Sequence, residues 1–393
     1  MEFFTYNNQY FQEQYETATD IENMLPYVKG SRLCRYAAED ENAVAVCEQK
    51  IAEYTGARYA LAVNSGTSAI YLALYALGVR AGDEVLIPGL TFVSVPGAII
   101  QMGARPVLVD ITENYTIDKD DLEQKITSKT KVLLITHMRS MISDMRELQR
   151  ICEKHGIYLV EDCAHSMGAY FEGTDTGRFG IIGCFSTQSK LLNSGEGGLI
   201  ITNSLELMTK MILLSGCYGE NYIHHLIDHS FFEKYRFDLP CFSMRMSCSN
   251  AAFMLPFVLK LEDKTERYRR NFRLFYDAAG SIEHIRLPQI HPDAQPCTNC
   301  IMFQFVDLDT EQIEKIRSWL NEKGLILTGY ADKGNCRFYR NWRYIKEMPS
   351  LATADKVLKQ TYEFVLPGRF EFEDIQRTVW LLQRAIETVL SVE

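Results

Sequence analysis

The stretch Asn64-Ser65-Gly66-Thr67-Ser68-Ala69 follows an apolar run and opens one rich in Ala and Leu. A glycine there lets the backbone come close to a ligand, and the N–H groups at a helix start attract a phosphate. The same residues also suit an ordinary strand-to-helix turn with Thr67 or Ser68 as its cap. A second stretch, Val160-Glu161-Asp162-Cys163-Ala164-His165, ends an apolar strand in acid at the edge where open α/β sheets hold ligands. A carboxylate in that place can hold a protonated ring nitrogen, and a following histidine can bond a ring substituent; Asp162 as a plain helix cap is the alternative. The third is Phe185-Ser186-Thr187-Gln188-Ser189-Lys190, followed by Gly195-Glu196-Gly197-Gly198 and the apolar Leu199-Ile200-Ile201. A lysine between two apolar strands and beside a glycine-rich turn sits where burial favours its neutral, nucleophilic form, whereas a lone lysine is ordinarily a solvated loop residue.

Positioning such residues takes a sheet. From residue 59 to about 202, short apolar runs alternate with longer amphipathic ones, the pattern of a mainly parallel sheet covered by helices. Strands are predicted over residues 60–63, 84–88, 105–109, 132–136, 158–161, 183–186 and 199–202. Helices are predicted over 68–77, 93–102 and 144–155, the last capped by Ser143 or Asp144. After Ser247 a long helical stretch runs through Phe272, and a mixture of strand and helix follows from Ile301 to the end. The expected division is a large domain with an N-terminal segment over 1–250 and a smaller C-terminal α/β domain over 251–393. There is no internal repeat and no long Pro, Gly or Ser linker.

Composition narrows the function classes. At 47% hydrophobic and 23% charged, 393 residues suffice for a large core. The 41 basic residues are scattered and outnumbered by 51 acidic ones, a net charge of −10, which disfavours nucleic acid or an anionic membrane as the main partner. No secretory signal and no span-length apolar stretch is visible. Eleven cysteines, odd in number and mostly in apolar segments, read as reduced thiols in a cytoplasm. Cys297 and Cys300 form a C-x-x-C pair with no second pair nearby, so loop cysteines are expected and no metal site.

Phosphate turn, acidic strand end, and lysine with glycine turn come in the order found in fold-type-I pyridoxal-phosphate enzymes. The chain resembles the DegT/DnrJ/StrS aminotransferases, known for making amino sugars, from about residue 35 to 246 with a weaker tail. The resemblance implies an aspartate-aminotransferase-like α/β fold, with a mainly parallel seven-stranded sheet in the large domain. It implies pyridoxal 5'-phosphate as cofactor, cycling with pyridoxamine 5'-phosphate. Lys190 becomes the Schiff-base lysine and proton shuttle, and Asp162 the partner of the pyridine nitrogen. Gly66, Thr67 and Ser186 hold the phosphate, and His165 contacts the phenolic oxygen. Phe92, in Pro88-Gly89-Leu90-Thr91-Phe92, covers the ring, with a plain core aromatic as the alternative. Arg245, in Ser243-Met244-Arg245-Met246, matches an Asn-x-Arg-Met segment that reaches toward a partner's phosphate, implying a homodimer with shared active sites.

The chain departs from the family at several places. Ser186 stands four positions before Lys190, one fewer than the family spacing, so Gln188 or Ser189 is an alternative phosphate ligand. Ser243, a cofactor-binding candidate, replaces the usual Asn. Arg139 and Ser140, in segment 137–145, replace an aromatic and a glycine; Arg139 then faces a carboxylate or phosphate on the substrate, or is structural. The segment 337–344, dense in Arg and aromatics and including Asn341 and Trp342, lines the substrate mouth or makes surface cation–π contacts. The implied activity moves an amino group from an amino acid, L-glutamate, to a keto-sugar or related polyol, often nucleotide-linked. Alternatives are another reaction of the same cofactor on a non-sugar substrate, or a cofactor-binding regulator without turnover. Lys190 argues against the sugar dehydratases of the family, which carry His there.

Overall fold

The computed structural model describes residues 18–28, 35–36, 42–188, 191–192 and 195–391. Ser189 and Lys190 lie outside the described residues. Seven strands form the large sheet: β1 (Tyr59–Val63), β2 (Glu84–Pro88), β3 (Arg105–Val109), β4 (Thr130–Thr136), β5 (Tyr158–Asp162), β6 (Ile182–Ser186) and β7 (Gly198–Thr202). Their order is β1-β7-β6-β5-β4-β2-β3. Only β7 runs against its neighbours. All seven expected strands are present, each within two residues of its predicted start. Most are buried through nearly their whole length, which is why they read as continuous apolar runs.

The register decides what lies at the carboxyl edge. Val63 and Ser186 both pair with Gly198, Asp162 pairs with Cys184, and Thr136 pairs with Asp162. One row at one edge of the sheet therefore carries the ends of β1, β6, β5 and β4 and the start of β7. Helices cap as their side chains dictate. Asp144 accepts from the Glu147 amide at 3.0 Å and opens the helix Met145–His155, as expected. For the helix Gly66–Ala76 the cap is Ser65 and neither Thr67 nor Ser68. Ser65 is the residue with extended backbone, φ −164°, and its hydroxyl accepts from the Ser68 amide at 3.0 Å.

Beneath that edge sits Glu161, with no exposed surface. The amides of Gly177, Phe179 and Gly180 donate to its carboxylate at 2.8, 2.7 and 2.6 Å, and His137 Nε2 at 3.1 Å. In the buried group of His137, Glu161 and Cys163, both Glu161 oxygens are bonded to protein donors.

A second, antiparallel sheet contains β8 (Ile285–Arg286), β9 (Cys300–Phe305), β10 (Thr328–Gly329) and β11 (Thr361–Val365), in the order β8-β9-β11-β10. Phe275, Phe303, Phe305 and Phe364 meet edge to face in its core. The helix Ala352–Gln360 has no cap from its own side chains; Asp110, just past β3, accepts from the Thr353 and Ala354 amides at 2.9 and 2.8 Å. Among the described residues no helix is long and apolar enough to cross a membrane.

Replacing the charge under the edge tests this account. Glu161→Gln turns one acceptor oxygen into a donor facing backbone N–H groups, and is expected to lower stability by about 3 kcal/mol. Urea unfolding followed by circular dichroism measures it.

Candidate active site

Asp162 closes β5 and is buried. Its Oδ1 accepts from the Ala164 amide at 3.1 Å and its Oδ2 from the Thr136 hydroxyl at 3.2 Å. Thr136 is in turn 2.7 Å from the Thr91 hydroxyl, on the loop leaving β2. Asp162 opens a turn and caps no helix, so its carboxylate is held as an oriented anion at the sheet edge.

Beside it, the start of the helix Gly66–Ala76 abuts the end of β6. A Cβ built on Gly66 would fall 2.9 Å from Ser186 Cβ, and one on Gly198 only 2.3 Å from the Ser65 carbonyl oxygen. Both glycines are required by close approach, and the helix N-terminus brings its partial positive charge to Ser186. Segment 243–246 lies along the same place. The Asn64 amide donates to the Met244 carbonyl at 2.9 Å, and Val63 bridges Arg245. Ser243 has a left-handed backbone, φ 54°, while the Arg245 guanidinium donates to the Gly216 carbonyl and stacks over Tyr218. Gly66, Thr67 and Ser186 therefore meet at one turn, while Ser243 lies beside Gly216 at the end of the segment that borders it.

A small pocket opens next to this edge, lined by Ala164, His165, Ser186, Leu191 and Leu192 and by segment 297–299. Leu191 directly follows Lys190 in the sequence. The C-x-x-C pair is a structural part of the opposite wall. Burial pushes the Cys297 thiol up to about 12, and its sulfur contacts the Thr265 carbonyl at 3.6 Å. Phe92, on the loop leaving β2 next to Thr91, is 38% accessible and is no core aromatic.

Arg139 does not stand free to meet a substrate. Its Nε and Nη2 donate to the two oxygens of Glu363, on β11, at 2.8 and 2.6 Å. Its Nη1 is 2.9 Å from His165 Nδ1. Arginine only donates, so Nδ1 of His165 accepts and the ring carries its proton on Nε2. Tyr330 adds a third bond to Glu363 at 2.7 Å. Burial alone would raise the Glu363 carboxyl; Arg139 and Arg337 and the Tyr330 hydroxyl pull it down to about 2.

The other two substrate candidates are elsewhere. Trp342 is 1% exposed in the core, its indole N–H donating to the Cys336 carbonyl at 2.9 Å, because an indole buries more apolar area than any other side chain here. Asn341 is exposed and its amide ties down the Asn335 carbonyl at 3.0 Å. From the same segment, Arg337 reaches the loop leaving β2 instead, 5.8 Å over the Phe92 ring. Sequence reading missed Glu363 and Thr136. The signal for Glu363 was present, as one acid inside the apolar strand Thr361-Tyr362-Glu363-Phe364-Val365.

The family model for the DegT/DnrJ/EryC1/StrS aminotransferase family matches residues 37–381. The chain belongs to that family. Among its relatives, GDP-perosamine synthase of Vibrio cholerae is 35% identical over 189 residues, 47% of this chain and 52% of that protein. L-glutamine:2-deoxy-scyllo-inosose aminotransferase of Streptomyces kanamyceticus is 41% identical over 165 residues, 42% of this chain and 39% of that one. This DegT/DnrJ/EryC1/StrS chain thus spans about half the length, or less, of these curated relatives. The aminotransferase from Psychrobacter cryohalolentis shares the fold, with a TM-score of 0.84 at 22% identity over 97% of this chain and 99% of that one. The family match extends to residue 381, beyond the residues that carried the sequence resemblance.

The depressed Glu363 carboxyl makes a stability prediction with a definite sign. A carboxyl at about 2 when folded, against an ordinary 4.5, stabilises the fold above pH 4.5 and loses that contribution as pH falls from 4.5 through 2. The shift corresponds to about 3 kcal/mol. Glu363→Gln is expected to lose roughly that much at neutral pH. The variant should also flatten the stability profile between pH 4.5 and 2, read by urea titrations across the acid range.

Proposed function

We propose that the chain is a pyridoxal-phosphate-dependent aminotransferase that takes an amino group from L-glutamate or a similar amino acid and gives it to a keto group on a sugar or polyol. The observation that carries this reading is the edge itself. An oriented buried carboxylate, a helix N-terminus pressed by glycine against a serine, and a pocket between them fit the nitrogen, phosphate and ring of that cofactor. When bound, pyridoxal phosphate supplies the electron sink that lets a proton leave the substrate carbon.

The protein's part is to hold and move protons. Asp162 accepts the pyridine N–H, and its ionised form keeps that proton in place. Gly66, Thr67 and Ser186 would hold the phosphate, with Ser243 reaching the partner's site, while His165 would offer its Nε2–H to the ring oxygen and Phe92 would cover the ring. Lys190 would hold the cofactor and, as an amine, would be the base that moves a proton at the substrate carbon. The acceptor class rests on family membership and on the names of the relatives, which include a GDP-perosamine synthase and an inosose aminotransferase. The second of those names gives glutamine as the donor, which makes L-glutamine a second candidate here.

The same reading divides the chain into a cofactor-binding part over 1–250 and a smaller part over 251–393, and makes it a cytoplasmic homodimer in which segment 243–246 faces the partner's site. Exposed Tyr218, under the Arg245 guanidinium, supplies apolar surface for such a contact.

The deciding experiment is the visible absorption of purified protein. Wild type is expected to be yellow and to bleach on addition of L-glutamate or L-glutamine, while Lys190→Ala should show no such change. A yellow protein that no amino donor bleaches would point to another reaction of the same cofactor, and a protein that binds none would sink the reading. Gly66→Ala, whose methyl would press on Ser186, should weaken cofactor binding at least tenfold with the fold intact, measured by cofactor titration.

A further inference from the structure

Glu363 faces two guanidinium groups and satisfies only one. Arg139 takes both carboxylate oxygens, and Tyr330 adds a further bond. Arg337 comes no closer than 3.9 Å to that carboxylate, beyond hydrogen-bond range. Two cations against one anion leave one positive charge over, and the bonding shows which residue carries it. The Nε of Arg337 is buried and has no hydrogen-bond partner. A charged donor kept from water without an acceptor is costly, and such groups are commonly completed by a ligand.

The guanidinium is also placed with care. Leu90 bridges Phe338 in antiparallel register, which sets the neighbouring Arg337 against the loop that carries Phe92. Asn335 accepts from the Arg337 amide at 2.9 Å and ties its own amide to the Gly329 carbonyl at 2.9 Å, so the turn beneath is fixed. The Arg337 side chain remains 18% accessible, open to a molecule entering over Phe92.

We infer that Arg337, and not Arg139, is the site for an anionic group of the substrate, a carboxylate or a phosphate, bound above Phe92 on the loop leaving β2. The assignment rests on the aminotransferase reading for what the substrate is, but the anion site exists independently of turnover. The donor amino acid would bring a carboxylate and a nucleotide-linked acceptor a diphosphate. Both offer the paired oxygens that a guanidinium fork matches.

The test uses the cofactor-loaded protein with Arg337→Met and Arg337→Lys. Maleate, a dicarboxylate that needs no turnover, and GDP are titrated calorimetrically, and L-glutamate is titrated by its bleaching of the visible band. Arg337→Met is expected to weaken the ligand that uses the site by about tenfold to a hundredfold, the worth of one charged hydrogen bond or two. Arg337→Lys should recover part of that loss. A change in maleate and glutamate binding assigns the carboxylate, and a change in GDP binding assigns the diphosphate. If wild type binds neither maleate nor GDP, or Arg337→Met binds both as wild type does, the inference is wrong. Failure of the broader reading looks different, because wild type would then bind maleate or GDP without bleaching with any amino donor.

Discussion

A carboxylate sealed from water holds its charge only where donors fill its oxygens, and Glu161 finds them in the backbone of the loop that follows it. Three amides of segment 177–180 and one imidazole nitrogen converge on it. That arrangement folds the loop back beneath the sheet and delivers the chain into β6 at a set height. The end of β6 is Ser186, and the next residue of β5 after Glu161 is Asp162. One buried ion thereby fixes the level of two site residues that point out of the same edge. The alternation of a strand does the rest, since Glu161 turned inward requires Asp162 to turn the other way.

The central sheet was legible because each strand is a short apolar run bounded by polar turns, and a strand buried on both faces needs nothing else. The three chemical stretches were legible for a related reason. Each sits where a strand ends, so its polar residues interrupt an apolar pattern. The helix cap at Ser65 was misplaced by two or three residues because capping follows backbone angle, which Ser65, Thr67 and Ser68 do not reveal by type.

What stayed hidden was pairing across the chain. Arg139 and Glu363 are 224 positions apart, and nothing in either neighbourhood names the other. Arg139 therefore read as a residue awaiting a substrate when it is a strut between the large sheet and the small one. Within the segment 337–344, three arginines and four aromatics looked alike on the page. The bridge from Leu90 to Phe338 sets Arg337 against the loop leaving β2, while Trp342 is buried in the core.

Asp110 has a consequence for how the molecule comes into being. The helix Ala352–Gln360 begins with amides that only this carboxylate, more than two hundred residues earlier, accepts from. An isolated helix of nine residues is too short to persist in water. The carboxyl-terminal portion must then finish folding against a template already in place, and synthesis from the amino terminus provides that template first. Order of manufacture and order of assembly agree in this chain, since the carboxylate that starts the helix is made long before the helix itself.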